Sequence, residues 1–247
     1  MPRKARKESS TKIYHVMLRG INQQNIFHDD EDNLKFLETL ADCKQVDGFT
    51  LYSFCLMSNH VHLLIKVNNS DLGQTFKRIG VRYVYWYNLK YKRIGHLFQD
   101  RYKSEPVETE EYFLSVLRYI HQNPVKAGIT SDIAAYRWSS YSEYIGSCRI
   151  VDTQFAIDIL GKNDFAIFHE TDESMSCLED TARPIRLSDD EAKKAITDTL
   201  GSRHIEYAQH FDPSERSEFL KKLKAKGLSI RQISRLTGLS KGLVERS

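Results

Sequence analysis

The sequence predicts an α+β fold over residues 1–150, an antiparallel sheet with helices on one face, followed after an acidic linker at 151–187 by an all-α module at 188–247. Two observations predict it. Short β-rich runs alternate with longer stretches of helical period in the first part, whereas the last part carries helix caps and no strand pattern.

Tyr14 to Arg19 reads as the first strand, and Asp30 to Gly48 as a helix with an acidic first turn, apolar Leu34, Leu37, Leu40 and Ala41, and a terminating glycine. Phe49 to Met57 and His60 to Val67 are two β-rich runs separated by Ser58-Asn59, the pattern of a hairpin. A long helix is expected from Ser70 to Tyr91, because Leu72, Phe76, Ile79, Tyr83 and Trp86 recur at the helical period and form a core stripe. Leu97 to Gln99 and Tyr102 to Val107 read as extended segments. Thr109, followed by Glu110 and Glu111, caps a helix expected to end near Asn123, since Pro124 disfavours helical geometry at the residue before it. This order is that of a ferredoxin- or RRM-like sandwich, with helices on one sheet face and the other face free for a ligand.

The C-terminal caps are clear. Ser188 with Glu191 makes a capping box, and Asp212, Pro213 and Glu215 start a second helix. Gly201 and Gly227 stand where C-caps belong. Ser229 with Gln232 starts a third helix with Ile230, Ile233 and Leu236 on one face, and Thr237-Gly238-Leu239-Ser240 supplies a turn before the last. The pattern is that of a DNA-binding helix-turn-helix, and also of a small helical bundle.

With hydrophobic residues at 40% and a mean hydropathy of -0.50, the chain is expected to be a soluble folded protein. No apolar run reaches spanning length and no leader is apparent, so a cytoplasmic protein without a membrane partner is expected. Cys43, Cys55, Cys148 and Cys177 form no C-x-x-C pair and read as reduced thiols. Net charge is +3, but it is unevenly placed. Lys77, Arg78, Arg82, Lys90, Lys92, Arg93, Arg101 and Lys103 interleave with Tyr83, Tyr85, Trp86, Tyr87 and Tyr91. That stretch suits a surface tracking phosphates, or equally a solvated helix face with aromatics beneath.

In the strand His60-Val61-His62 both imidazoles project from one side, about 6–7 Å apart, and can converge on one ion. Val61, Leu63, Ile65 and Val67 make the opposite face apolar. Tyr119 and Asn123 lie four residues apart on one face of their helix, beside the stripe of Phe113, Val116, Leu117 and Ile120. A tyrosine hydroxyl is a poor nucleophile at neutral pH unless its target is made more electrophilic, which a metal clamped on a phosphate achieves. The Asn123 oxygen could complete a set of two nitrogens and one oxygen suited to Mg²⁺ or Mn²⁺. A zinc hydrolase is the competing reading, but the sequence has no H-E-x-x-H and no evident carboxylate beside the histidines.

Three ordered runs carry a family resemblance: Tyr14-His15-Val16-Met17-Leu18-Arg19-Gly20, Met57-Ser58-Asn59-His60-Val61-His62-Leu63-Leu64, and Tyr119-Ile120-His121-Gln122-Asn123-Pro124-Val125-Lys126-Ala127-Gly128. With Trp138-Ser139-Ser140-Tyr141 they resemble the HUH single-tyrosine transposases, in the branch of REP-associated tyrosine transposases, over residues 11 to 146. The resemblance implies the HUH nuclease fold, His60 and His62 as metal ligands, Tyr119 as nucleophile, and Asn123 where the family often places a glutamine ligand. It also implies cleavage and rejoining of single-stranded or hairpin DNA through a 5′-phosphotyrosine, with no nucleotide cofactor. Arg19, Arg101 and Lys126 are candidate phosphate contacts, with Lys241 and Arg246 adding contacts from the C-terminal module. His96 and His121 read as structural or DNA-contacting. A homodimer, with Tyr119 acting within or across subunits, is left open. The alternatives are a non-cleaving DNA-binding regulator and a metal-dependent phosphodiesterase that uses water.

Overall fold

The computed structural model describes residues 6–68, 71–161, 164–170, 189–200, 208, 211–226, 228 and 230–245. The chain forms two units, Met1–Glu179 and Asp180–Ser247.

The first unit is built on a four-stranded antiparallel sheet of β1 (Ile13–Arg19), β2 (Thr50–Met57), β3 (His60–Lys66) and β4 (Lys103–Pro106), in the order β2-β3-β1-β4. Together with α1 (Asp30–Asp47) and α2 (Leu72–Lys90), this is the predicted α+β architecture. The extended segment expected at Leu97 to Gln99 is reduced to a bridge between Gly20 and Phe98, flanked by Ile21 N–H to Leu97 O and Gln99 N–H to Arg19 O. Pairing Val16 with Leu63 and Leu18 with Val61 places these side chains on one sheet face, while His15, Met17 and Arg19 share the other with His60 and His62. Val16, Leu56, Val61, Leu63 and Ile65 are fully buried, so the apolar face is the floor of the main core.

Local chemistry sets the helices that cover this floor. The Asp29 side chain accepts from Asp32 N–H at the start of α1, and Gly48 ends the helix in the left-handed region at φ 66°. The buried stripe of α1 is Phe36, Leu40 and Cys43; Leu34, expected in the apolar set, is 56% exposed. Phe36 meets the Tyr83 ring edge-on at 5.0 Å, and the Tyr83 hydroxyl donates to Ile26 O. Truncating such a ring typically costs about 3–5 kcal/mol. At the far end of α2, Lys90 Nζ and the Tyr91 hydroxyl both donate to the fully buried Asp32 carboxylate, so the two helices are also joined by a satisfied charge.

α3 (Glu110–Lys126) begins at Thr109, whose side chain accepts from Tyr112 N–H, and it does not stop at Asn123. It runs through Pro124 for two more residues. Pro124 has no N–H to offer the Ile120 carbonyl, but the carbonyls of Asn123, Pro124 and Val125 accept from Ala127, Ile129 and Gly128, so helical bonding resumes beyond it. α3 lies against the histidine face over β2 and β3. Beyond it, Trp138 O accepts from Leu56 N–H and Ser140 N–H donates to Phe54 O, which covers the outer edge of β2.

Residues 151–170, expected as the start of the linker, fold onto this unit through α5 (Gln154–Leu160) and α6 (Phe165–Glu170), which follow α4 (Tyr141–Ile145). Val151, Ala156 and Phe165 belong to its core. The reason is polar as well as apolar. His169 Nδ1–H donates to Phe165 O, which leaves Nε2 as the acceptor for His121 Nδ1–H at 2.9 Å; His121 Nε2 then accepts from the Ser140 hydroxyl at 2.8 Å. His121 is thus a buried structural link between α3, α6 and the 138–140 segment, while His96 lines a surface groove of this unit.

The second unit contains α7 (Asp189–Leu200), α8 (Pro213–Ala225), α9 (Ile230–Thr237) and α10 (Lys241–Glu245) around Ile196, Phe219, Leu220, Leu223, Ile233 and Val244. Asp212 caps α8 through Ser214 and Glu215 N–H, with Pro213 in its first turn. Gly238 turns the chain between α9 and α10 at φ 73°. Ser188, Gly201, Gly227, Ser229, Cys177, Arg246 and most of the acidic interval fall outside the described residues. No helix among those described is long and apolar enough to cross a membrane.

Candidate active site

β3 delivers His60 and His62 to the same sheet face, two residues apart. Their rings are perpendicular with centroids 5.0 Å apart. Each Nδ1 has an orienting partner. Asn59 Nδ2 donates to Gln23 O, which fixes the amide so that Asn59 Oδ1 accepts from His60 Nδ1–H at 2.6 Å. His62 Nδ1 lies 2.9 Å from His15 Nε2 of β1. Burial drives the His15 pKa down to about 3, so His15 is neutral and its Nε2 can serve as acceptor. In that tautomer His62 donates from Nδ1 and keeps the lone pair of its buried Nε2 free. His62 is held well below the ordinary histidine range, first by burial and then by the neighbouring His15, His60 and Lys103.

α3 brings the second half of the site. The Tyr119 ring stands edge-on to His62 at 5.5 Å and to His15 at 5.7 Å. One turn on, Asn123 shares that helix face, and Lys126 follows it with Nζ 5.5 Å from the Tyr119 ring centre. The opposite flank of α3 is committed to α6: Arg118 lies over the Phe168 ring, and Gln122 donates to His169 O. Tyr119 is left out of the apolar stripe because of this division of faces.

His62 Nε2 and Asn123 Nδ2 are buried side-chain atoms without a hydrogen-bond partner. An unpartnered buried imidazole nitrogen needs either a proton acceptor or a cation, so the donor set fits a metal. Among the described residues no three His, Cys, Asp or Glu side chains cluster as a metal site. A bound ion would therefore rest on His60 and His62, with an amide oxygen such as that of Asn123 and waters in the remaining positions.

The remaining predicted residues divide. Arg19 stands directly opposite His60 in the sheet, on the site face. Arg101 lies elsewhere on the first unit, in a groove beside α2. Lys241 belongs to the second unit, where it pairs with Glu245 at 3.6 Å, an exposed pair of little energetic weight; Arg246 lies outside the described residues. Much of the predicted basic stretch is consumed by ion pairs. Arg78 binds Asp47, Arg82 binds Asp42, and Lys90 binds Asp29, Glu31 and Asp32.

Four contributors were not singled out from the sequence. His15 and Asn59 orient the two imidazoles, Lys103 stands opposite Met17 in the same row as His62, and Glu105 stands opposite His15. Glu105 thus supplies a carboxylate on the site face, next to His15 rather than His60 or His62, with Oε2 buried and unpartnered. The alternation of β1 was the available signal for His15, since it sets His15 on the face of Arg19.

Residues 8–123 match the family model described as transposase IS200 like. The structure of a REP-associated tyrosine transposase bound to a REP hairpin aligns with a TM-score of 0.53 at 12% identity, covering 62% of this chain and 94% of that one. At that identity the likeness is one of fold. A protein of Deinococcus radiodurans R1 described as a transposase aligns with a TM-score of 0.36 at 18% identity, covering 49% of this chain and 97% of its own. No curated protein matches the chain.

Proposed function

We propose that the N-terminal unit, whose residues 8–123 match the family model described as transposase IS200 like, cleaves and rejoins single-stranded DNA, at hairpin sites, with Tyr119 as nucleophile and a divalent ion held by His60, His62 and Asn123. The observation that carries this reading is the meeting of Tyr119 from α3 with His62 from β3 at 5.5 Å. A bound Mg²⁺ or Mn²⁺ would draw electron density from the scissile phosphate and make it more electrophilic.

The chain's own residues do the rest. Tyr119 loses its proton to solvent and its oxygen attacks phosphorus. The bond from phosphorus to the 3′-oxygen breaks, that oxygen takes up a proton, and a 5′-phosphotyrosine remains. A second 3′-hydroxyl reverses the step and joins a new partner, so bond energy is conserved. Lys126, over the Tyr119 ring, is placed to meet a phosphate oxygen beside the nucleophile. Arg19, beside His60, is suited to hold a phosphate oxygen of the strand. His15 and Asn59 keep the imidazole nitrogens aimed at the ion. The hairpin as target follows the relative whose structure holds one, and Lys241 and Arg246 would add phosphate contacts from the second unit.

The test is incubation of the full chain with end-labelled single-stranded hairpins and Mg²⁺ or Mn²⁺. A covalent protein–DNA adduct is expected, absent in Tyr119→Phe although that variant keeps its DNA affinity. An adduct in Tyr119→Phe rejects the nucleophile. Cleaved product without any adduct points to hydrolysis by water, and binding without cleavage points to a regulator.

A further inference from the structure

We propose that the groove between α2 and the 96–102 segment, about 700 Å³ in volume, is a binding site for an unstacked nucleotide of single-stranded DNA. The inference rests on the DNA reading above and locates a contact that reading does not supply.

The groove lies on the helix side of the sheet. Leu18 is at its floor, and Leu18 and Arg19 point to opposite faces of β1, so the groove and the Tyr119 site lie on opposite sides of the sheet. One wall is the face of α2 that carries Gly73, Phe76, Lys77, Gly80, Val81 and Val84, spaced at helical intervals. Phe98 and Tyr102 line it from the other side, and the Tyr102 ring packs on Phe76 at 4.7 Å. Phe76 and Tyr102 are buried, so the surface left for a base to stack on, whatever its identity, is the half-buried Phe98 ring with Val81 and Val84.

Charge selects the occupant. Two uncommitted cations of the neighbouring surface line the groove, while Lys92 and Lys103 lie outside its lining. Arg78, Arg82 and Lys90 are held by carboxylates, whereas Lys77 and Arg101 have no ion-pair partner among the described residues, and both line the groove. Arg6 joins them with its guanidinium 3.8 Å from the centre of the Tyr102 ring. Two carboxylates also line the groove, Asp71, which caps α2, and Asp100, which has an interaction of its own. Three cations at the rim of an aromatic pocket match the phosphates and base of one nucleotide, and the volume lies within the roughly 300–1,000 Å³ typical of small-ligand sites. Past Arg101 the chain enters β4, an edge strand of four residues, where Lys103 points to the histidine face. A strand seated in the groove can therefore follow Arg101 and Lys103 round this short edge towards Tyr119.

Gly80 gives a clean perturbation, because a Cβ added there meets nothing within 4 Å. Gly80→Leu fills the groove while improving the helix propensity of α2; Gly80→Ala improves propensity without filling it. Affinities of the full chain would be measured at one salt concentration for an oligothymidylate and for a blunt DNA hairpin. Gly80→Leu is expected to bind oligothymidylate about tenfold more weakly, with blunt-hairpin affinity unchanged and Gly80→Ala close to the parent. Should Gly80→Leu fail to fold, the double variant Lys77→Gln, Arg101→Gln replaces it; its salt dependence for oligothymidylate is expected to lose about one to two units of slope. Equal oligothymidylate affinity in parent and Gly80→Leu, an unchanged slope in the double variant, an equal loss for both DNAs, or a parent that binds only the hairpin overturns the groove assignment and leaves the cleavage reading standing. A parent that binds neither DNA rejects the DNA reading itself.

Discussion

Replacing His169 with glutamine should remove part of the acid sensitivity of the N-terminal unit. The His169 ring is buried with both nitrogens engaged, Nδ1–H on Phe165 O and Nε2 receiving His121 Nδ1–H. Protonation would set two N–H groups against each other in a site without solvent. Burial accordingly lowers the pKa from 6.5 to about 4, with the Arg118 charge adding to the shift and the Phe165 carbonyl opposing it. As pH falls, the unfolded chain takes up its proton first. The stability tied to neutral His169 is fully present above about 6.5, erodes between 6.5 and about 4, and is gone below that. At 1.36 kcal/mol per pH unit this amounts to about 3 kcal/mol. Both tryptophans of the chain, Trp86 and Trp138, lie in this unit, so tryptophan fluorescence during urea unfolding follows it selectively. His169→Gln keeps hydrogen-bonding groups without titrating. Between pH about 7.5 and about 4.5 the parent should lose roughly 2–3 kcal/mol more than the variant. Parallel losses in the two proteins would refute the assignment of a buried neutral His169.

The orienting residues should act on metal affinity: His15→Leu and Asn59→Ala are each expected to weaken Mn²⁺ binding about 10–100-fold, read by electron paramagnetic resonance without DNA, and unchanged binding in both would remove them from the site. His62→Ala should abolish metal-dependent adduct formation, and retained metal dependence there and in His60→Ala would sink the two-histidine site. A chain ended after residue 150 loses Phe155, Phe165 and His169 from the first core and should melt well below one ended after residue 179; coincident melting curves would contradict the packing of α5 and α6. The longer truncation should still form the adduct but discriminate less between cognate and scrambled hairpins than the full chain, and an equal ratio would reject a DNA-targeting role for the second unit.

Periodicity and caps carried most of the fold in the sequence. The β3 alternation put His60 and His62 on one face and Val61, Leu63 and Ile65 on the other, and Gly48, Thr109 and Asp212 act at the helix ends where their chemistry predicts. These are local properties, set by φ, ψ and neighbours within a turn, and so they are legible in one dimension. The same holds for Tyr119 and Asn123, whose spacing places them on one side of α3. What tertiary structure decided was which groups meet. The bond from His15 to His62 joins two strands, the link from His169 to His121 pulls residues 151–170 out of the expected linker, and Asp42 and Asp47 of α1 claim arginines that looked free for phosphate. Pro124 likewise stays within α3, although its effect on the preceding residue predicts a helix end near Asn123. Side-chain partners distant in sequence are chosen by packing and by the cost of burying an unpaired polar group, and neither quantity exists until the chain has closed on itself.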